Sequence, residues 1–154
     1  YTQNVDGLHS TAGSSEVIEI HGNLHHLHCT HCRFATRVET YAGLGDPPLC
    51  PKCFAPVRPA VVLFGEALPE AGVARLEAAF AKDFDIVFSI GTSSLFPYIV
   101  QPVIYAASAG IPTVEINPAR TQLSDIVDYY LPLGAAEAMT RILDELGMDI
   151  PESL

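Results

Sequence analysis

Cysteine occurs at four positions, in two C-x2-C pairs, Cys29/Cys32 and Cys50/Cys53, with seventeen residues between the pairs. That spacing is how two knuckles wrap one tetrahedral Zn²⁺. Two thiolates from each knuckle fill the coordination sphere with soft ligands and leave no position open to activate water, so the predicted site is structural. Two other readings of the cysteines stay open. One is four unrelated reduced thiols. The other is a redox C-x-x-C, which needs no second pair and usually follows a strand at a helix N-terminus. His25, His26, His28 and His31 crowd the first knuckle, but with four thiolates available they are expected on the solvated surface. Residues 29–58 are rich in Cys, Pro, Gly and Arg and have few consecutive apolar positions. So small a segment cannot bury enough apolar surface alone, and the ion is expected to supply much of its folding free energy.

Around this insertion the pattern is α/β. Short apolar runs at Val61–Phe64, Ile86–Ile90, Thr113–Ile116 and Tyr129–Leu133 each lead into a loop with Gly, Pro or Asn, as buried parallel strands do. Helical periods lie between them. Pro69 opens a helix with Val73, Leu76, Ala79 and Phe80 on one face, Pro97 opens one ending at Gly110, and Ala135–Leu146 precedes Gly147. Pro102 inside the second helix predicts a kink or a late start. The order gives a Rossmann-like, doubly wound parallel sheet, with ligands beyond the carboxyl ends of its strands. The expected organisation is a Rossmann-like domain formed by 1–28 and 59–154 with a zinc ribbon inserted at 29–58.

The formal net charge is −10, with only two lysines, Lys52 and Lys82. That removes the basic footprint of nucleic-acid or anionic-membrane binding and favours a cationic partner such as a lysine-rich tail. No run approaches the ~18 apolar residues of a membrane span. The chain opens at Tyr1, within what reads as a buried strand, with no initiator Met and no signal segment. Upstream sequence is therefore expected. Paired cysteines without a secretory signal place the expected location in the reducing cytoplasm, and a monomer is the default assembly.

Two polar segments stand out. Tyr1-Thr2-Gln3-Asn4-Val5-Asp6-Gly7-Leu8-His9 places polar side chains in succession at a strand end, and His21-Gly22 follows the alternating run Val17–Ile20. Taken alone, the first reads equally as an Asn/Asp/Gly turn and the second as a core histidine. With four further segments in order, the chain resembles the sirtuin family. The family's T-Q-N-[IV]-D-x-L-H stands as Thr2 to His9 and its H-G as His21-Gly22. The four cysteines follow, then P-x-V-V-x-F-G-E as Pro59 to Glu66, G-T-S as Gly91-Thr92-Ser93, and I-N as Ile116-Asn117.

The resemblance implies an NAD-dependent protein-lysine deacylase with one structural zinc. The acyl oxygen of a modified lysine attacks the ribose carbon that bore nicotinamide, giving an imidate. A neutral imidazole then deprotonates a ribose hydroxyl that attacks the imidate carbon, and nicotinamide and O-acyl-ADP-ribose are the products. Imidazole suits that step because its ordinary pKa near ~6.5 leaves it basic yet mostly unprotonated at neutral pH. The resemblance assigns it to His21. Asn4 and Asp6 are implied to line the nicotinamide pocket, with Asn4 part of the catalytic machinery, and Gln3 to touch the ribose. Gly91, Thr92 and Ser93 are implied to meet phosphates or ribose, Asn117 the adenosine ribose, and Ala135 the adenine side. Val62, Leu63, Phe64 and Gly65 resemble the segment that adds an acyl-lysine peptide as a strand while sheathing the lysine stem.

The family's Gly-Ala-Gly phosphate loop would precede Tyr1, so this chain alone is expected to bind NAD poorly or not at all. Also upstream are the Tyr and Arg that select succinyl or malonyl groups in some members, which leaves acyl preference open between deacetylation and desuccinylation or demalonylation. Pro97 comes earlier after Gly91-Thr92-Ser93 than in the commonest family pattern. Protein ADP-ribosylation uses the same activated carbon and stays an alternative. Two rivals come from other classes. A non-catalytic zinc module needs no His21 and Asn4 constellation, and a zinc hydrolase needs an open metal position.

Overall fold

The computed structural model describes residues 1–82 and 84–148. Two units are present, Tyr1–Ala81 and Lys82–Leu154. In the first, Thr2 bridges Glu19 in parallel, donating its N–H to Ile18 O at 2.9 Å and accepting from Ile20 N at 3.1 Å. This single bridge replaces the strand expected over Val17–Ile20, and Tyr1 is 43% exposed rather than buried. A one-turn helix α1 (Leu8–Thr11) follows.

The strands β1 (Gly22–Cys29), β2 (Ala35–Arg37) and β3 (Val57–Val61) form an antiparallel sheet in the order β2-β1-β3. The strand expected at Val61–Phe64 is therefore displaced toward the N-terminus, and it is antiparallel. The reason is its partner: β3 runs against β1 from Cys29–Val57 to Gly22–Val61. Between Asn23–Ala60 and Leu27–Pro59 the register jumps, and Pro59, which has no N–H to give the ladder, sits at that irregularity. Leu27, Cys29, Cys50 and Val57 are buried together, with Phe34, Val38 and Leu44 packed around them. Gly22 is required where it stands. Its φ is +81°, and a Cβ there would lie 1.9 Å from Ala60 O.

Helix α2 (Glu70–Phe80) starts after Pro69, whose carbonyl accepts from Gly72 and Val73. The predicted face of Val73, Leu76, Ala79 and Phe80 is the half-buried one.

The second unit holds the parallel sheet β4 (Val87–Ile90), β5 (Thr113–Ile116) and β6 (Tyr129–Leu131), in that order, with helices α3 (Pro97–Ser108) and α4 (Ala135–Glu145). Val100 and Val103 of α3 pack with Leu123, Val87 and Val127. Ala138, Met139 and Ile142 of α4 pack with Val114, Ile116 and Leu131. Val87 aligns with Thr113, and Val114 with Phe88. Neighbouring strand positions point to opposite faces, so the two helices cover opposite faces of the sheet. This is the doubly wound, Rossmann-like arrangement that the order of elements predicts, with three parallel strands among the described residues.

Helix α3 starts at Pro97 despite Pro102, so there is no late start. It ends in a Schellman motif, with Gly110 at φ +73° and bonds from Gly110 N to Ala107 O and from Ile111 N to Ala106 O. Among the described residues no helix is long and apolar enough to cross a membrane.

Candidate metal centre and candidate active site

The two knuckles close on each other. All four cysteine Sγ atoms lie within 4.8 Å of one another, with Cys29–Cys53 at 3.4 Å and Cys32–Cys50 at 3.6 Å. A tetrahedron with Zn–S bonds of about 2.3 Å has edges of about 3.8 Å, so the thiols are spaced to hold one zinc. Backbone N–H groups point at the sulfurs: His31 and Cys32 donate to Cys29 Sγ at 3.3 and 3.4 Å, and Lys52 to Cys50 Sγ at 3.4 Å. Burial opposes ionisation of Cys29, but the bonds from His31 and Cys32 and from the neighbouring thiols bring it down to about 6. Cys53 accepts a backbone bond from Ala55 that favours its thiolate, yet Cys29, burial and the other two thiols push it up to about 12. A dication bound among the sulfurs favours their thiolate forms.

Histidine takes no part in this group of ligand atoms among the described residues. The ring of His25 instead pairs with the carbonyl of Val38 at 3.0 Å. Phe54, just after the last cysteine, stands at φ +60° and is 77% exposed.

The polar loop and the histidine meet in the same unit. Thr2 Oγ1 accepts from Asn4 N at 3.0 Å and Asp6 Oδ1 from Leu8 N at 3.1 Å, local bonds that hold the turn. Val5 O accepts from Leu24 N at 2.8 Å, which lays the loop on the start of β1. Gly7, at φ +74°, sits against Asn23, where a Cβ would come within 3.0 Å of Nδ2. Asn23 in turn donates to Glu19 at 2.7 Å and accepts from His25 N at 2.8 Å. His21 lies between the Thr2–Glu19 bridge and Gly22, and its carbonyl accepts from Val62 N at 2.9 Å. Backbone bonds therefore connect the segments of Gln3, Asn4 and Asp6, of His21, and of Val62 to Gly65.

Beyond Val62 the chain turns sharply, with Gly65 at φ +85°, Leu63 exposed and Phe64 fully exposed. Glu66 and Arg58 brace this turn; Glu66 closes the motif read from the sequence, whereas Arg58 was not singled out. An opposite-charge pair eight residues apart, with Arg58 immediately before the motif and Glu66 at its end, is the signal that could have found the brace.

In the second unit, Gly91, Thr92 and Ser93 leave the carboxyl end of β4, and Gly91 N donates to Ile116 O at 2.9 Å. Asn117 Nδ2 donates to Thr92 O at 2.7 Å, and Asn117 Oδ1 accepts from Ala119 N at 3.1 Å. The structure thus brings Asn117 to the G-T-S loop. Ala135 is the first residue of α4, after Gly134.

The Sir2 family model matches residues 1–97. The chain is 40% identical over 148 residues to the NAD-dependent protein deacylase 2 of Pseudomonas aeruginosa, covering 94% of this chain and 58% of that protein. It is 41% identical over 157 residues to the NAD-dependent protein deacylase of Methylococcus capsulatus, covering 97% and 61%. The chain therefore spans about three fifths of the curated relatives it matches. Among solved structures, a Sir2 homolog–NAD complex superposes with a TM-score of 0.82 at 38% identity, covering 94% of this chain and 56% of that one. Sir2 bound to acetylated peptide superposes with a TM-score of 0.85 at 30% identity, covering 96% and 63%. By the matched motifs, the fold and this level of identity, the chain belongs to the Sir2 family.

Proposed function

We propose that the protein removes acyl groups from protein lysines at the expense of NAD. The observation that carries this reading is the bonding of His21, whose carbonyl takes the N–H of Val62 while the Thr2 bridge fixes the residue pair before it. A basic side chain, a polar loop and a peptide-binding segment are thereby held in one neighbourhood. NAD, when bound, would supply an electrophilic ribose carbon, with nicotinamide as its leaving group, and the ribose hydroxyl that finally accepts the acyl group. His21 takes the proton of a ribose hydroxyl as general base. Asn4 and Asp6 offer the carboxamide of nicotinamide complementary donors and acceptors, and Gln3 touches the ribose. Val62 to Gly65 accept the substrate backbone as an added strand, which is indifferent to most peptide side chains.

Gly91, Thr92, Ser93 and Asn117 serve the dinucleotide at the carboxyl ends of the parallel strands, with Ala135 on the adenine side. Cys29, Cys32, Cys50 and Cys53 hold one structural zinc within the insertion 29–58. The acidic charge suits lysine-rich protein targets, and free thiols suit the cytoplasm. The test is incubation of the full-length protein with NAD and matched acetyl- and succinyl-lysine peptides, followed by mass spectrometry. Acyl-ADP-ribose from either peptide supports the reading and sets its acyl class. A folded, zinc-loaded protein that consumes no NAD with any peptide refutes it.

A further inference from the structure

Glu115 is an acid inside a fully buried parallel strand and has no exposed surface. Both its oxygens are taken by neutral hydroxyls, Oε1 by Thr121 Oγ1 and Oε2 by Ser124 Oγ. Among the described residues no basic side chain pairs with it. An apolar side chain would suit this strand better, so the carboxyl group is explained by what it holds. That is the turn Thr121–Ser124. Within it, Thr121 N donates to Ser124 Oγ at 2.9 Å, Leu123 N to Thr121 Oγ1 at 3.1 Å and Ser124 N to Thr121 O at 3.2 Å.

From this turn Gln122 Nε2 donates to the carbonyl of Ser94, in the loop after β4. Together with the Asn117 bond to Thr92 O, two carbonyls of that loop are drawn back onto the protein by side-chain amides. In a trans peptide the carbonyl and the following N–H point in opposite directions. Holding the carbonyls of Thr92 and Ser94 therefore turns the N–H groups of Ser93 and Leu95 outward, and both residues are exposed. Outward N–H groups at a strand end, just ahead of α3, are suited to a phosphate-bearing ligand. The loop does not take this shape unaided. Ser94 is fully buried at φ +55°, and its hydroxyl has no hydrogen-bond partner among the described residues. Such a conformation persists only where its surroundings impose it.

We infer that Glu115 and Gln122 are positioning residues for the cofactor loop 91–95, Glu115 fixing the turn from which Gln122 holds the Ser94 carbonyl. The inference rests on the NAD-dependent reading above. It is tested in the full-length protein by calorimetric binding of ADP-ribose, with KM for NAD and for an acyl peptide measured alongside. Gln122 is exposed, so Gln122→Ala leaves the core intact. That variant is expected to weaken ADP-ribose binding and raise the NAD KM about tenfold, with peptide KM and melting temperature little changed. Gln122→Lys, which keeps a donor, is expected to recover most of the loss. Glu115→Gln is expected to shift the same two quantities in the same direction. ADP-ribose binding unchanged in Gln122→Ala, or a parallel loss of peptide affinity and melting temperature, overturns the positioning role. If the parent itself binds no ADP-ribose, the NAD reading fails first.

Discussion

Arg58 and Glu66 form a two-point ion pair, Nη1 to Oε1 at 2.6 Å and Nη2 to Oε2 at 3.0 Å, across the turn that carries Leu63 and Phe64. The same Arg58 donates to Val61 O, and Glu66 Oε2 accepts from Leu63 N, both at 2.9 Å. One pair therefore fixes the backbone on both sides of Val62. Glu66→Gln is expected to raise the KM for acyl peptide roughly tenfold while leaving the NAD KM within about twofold, because only the segment proposed to bind peptide is released. Steady-state kinetics with each substrate varied in turn checks this.

The bond from Arg58 and the Leu63 N–H hold the Glu66 carboxyl down to about 2, against an ordinary value of 4.5. A carboxyl group with a depressed folded pKa contributes its stabilisation above the unfolded value and loses it as pH falls through the folded one. The brace is therefore complete at neutral pH and is lost between about 4.5 and about 2. Glu66→Gln should show a flatter melting temperature across that window than the parent, in melting curves collected at constant ionic strength.

Removing zinc should unfold the insertion. The metal's binding free energy is folding free energy for so small a core, so a strong chelator is expected to lower the melting temperature by roughly 10 °C or more. Cys29→Ser should do the same and lower activity indirectly. Native melting of that variant in chelator would remove the structural role of the site.

Phe54 is held in a left-handed conformation that an L side chain resists, and it buries little in return. Phe54→Gly relieves about 1 kcal/mol of backbone strain, so the zinc-loaded variant is expected to melt about 2–4 °C higher. Differential scanning calorimetry decides it.

The parallel strands were legible because Ile86–Ile90, Thr113–Ile116 and Tyr129–Leu133 are short, largely apolar runs bounded by turn residues, and strands form within them at Val87–Ile90, Thr113–Ile116 and Tyr129–Leu131. The knuckles were legible because thiolate chemistry fixes cysteine spacing. Strand β1 was not. Gly-Asn-Leu-His-His-Leu-His-Cys carries no strand period, and it extends because β2, β3 and the thiol cluster hold it. The β3 shift has the same origin, since Val61 to Phe64 is apolar but the pairing partner ends at Gly22. Of the candidate active site, the motifs named the segments, while the braces escaped notice. Arg58 pairs with Glu66 across a turn, and Glu115 holds Thr121 and Ser124 on either side of Gln122, contacts that form only once these short segments fold back on themselves.

The measurement that bears most directly on the proposed chemistry is His21→Ala in the full-length protein, assayed for acyl-ADP-ribose with zinc content and melting temperature measured on the same sample. The expected result is loss of acyl-ADP-ribose with zinc content and folding unchanged. A variant that still makes the product at the parent's rate would contradict it.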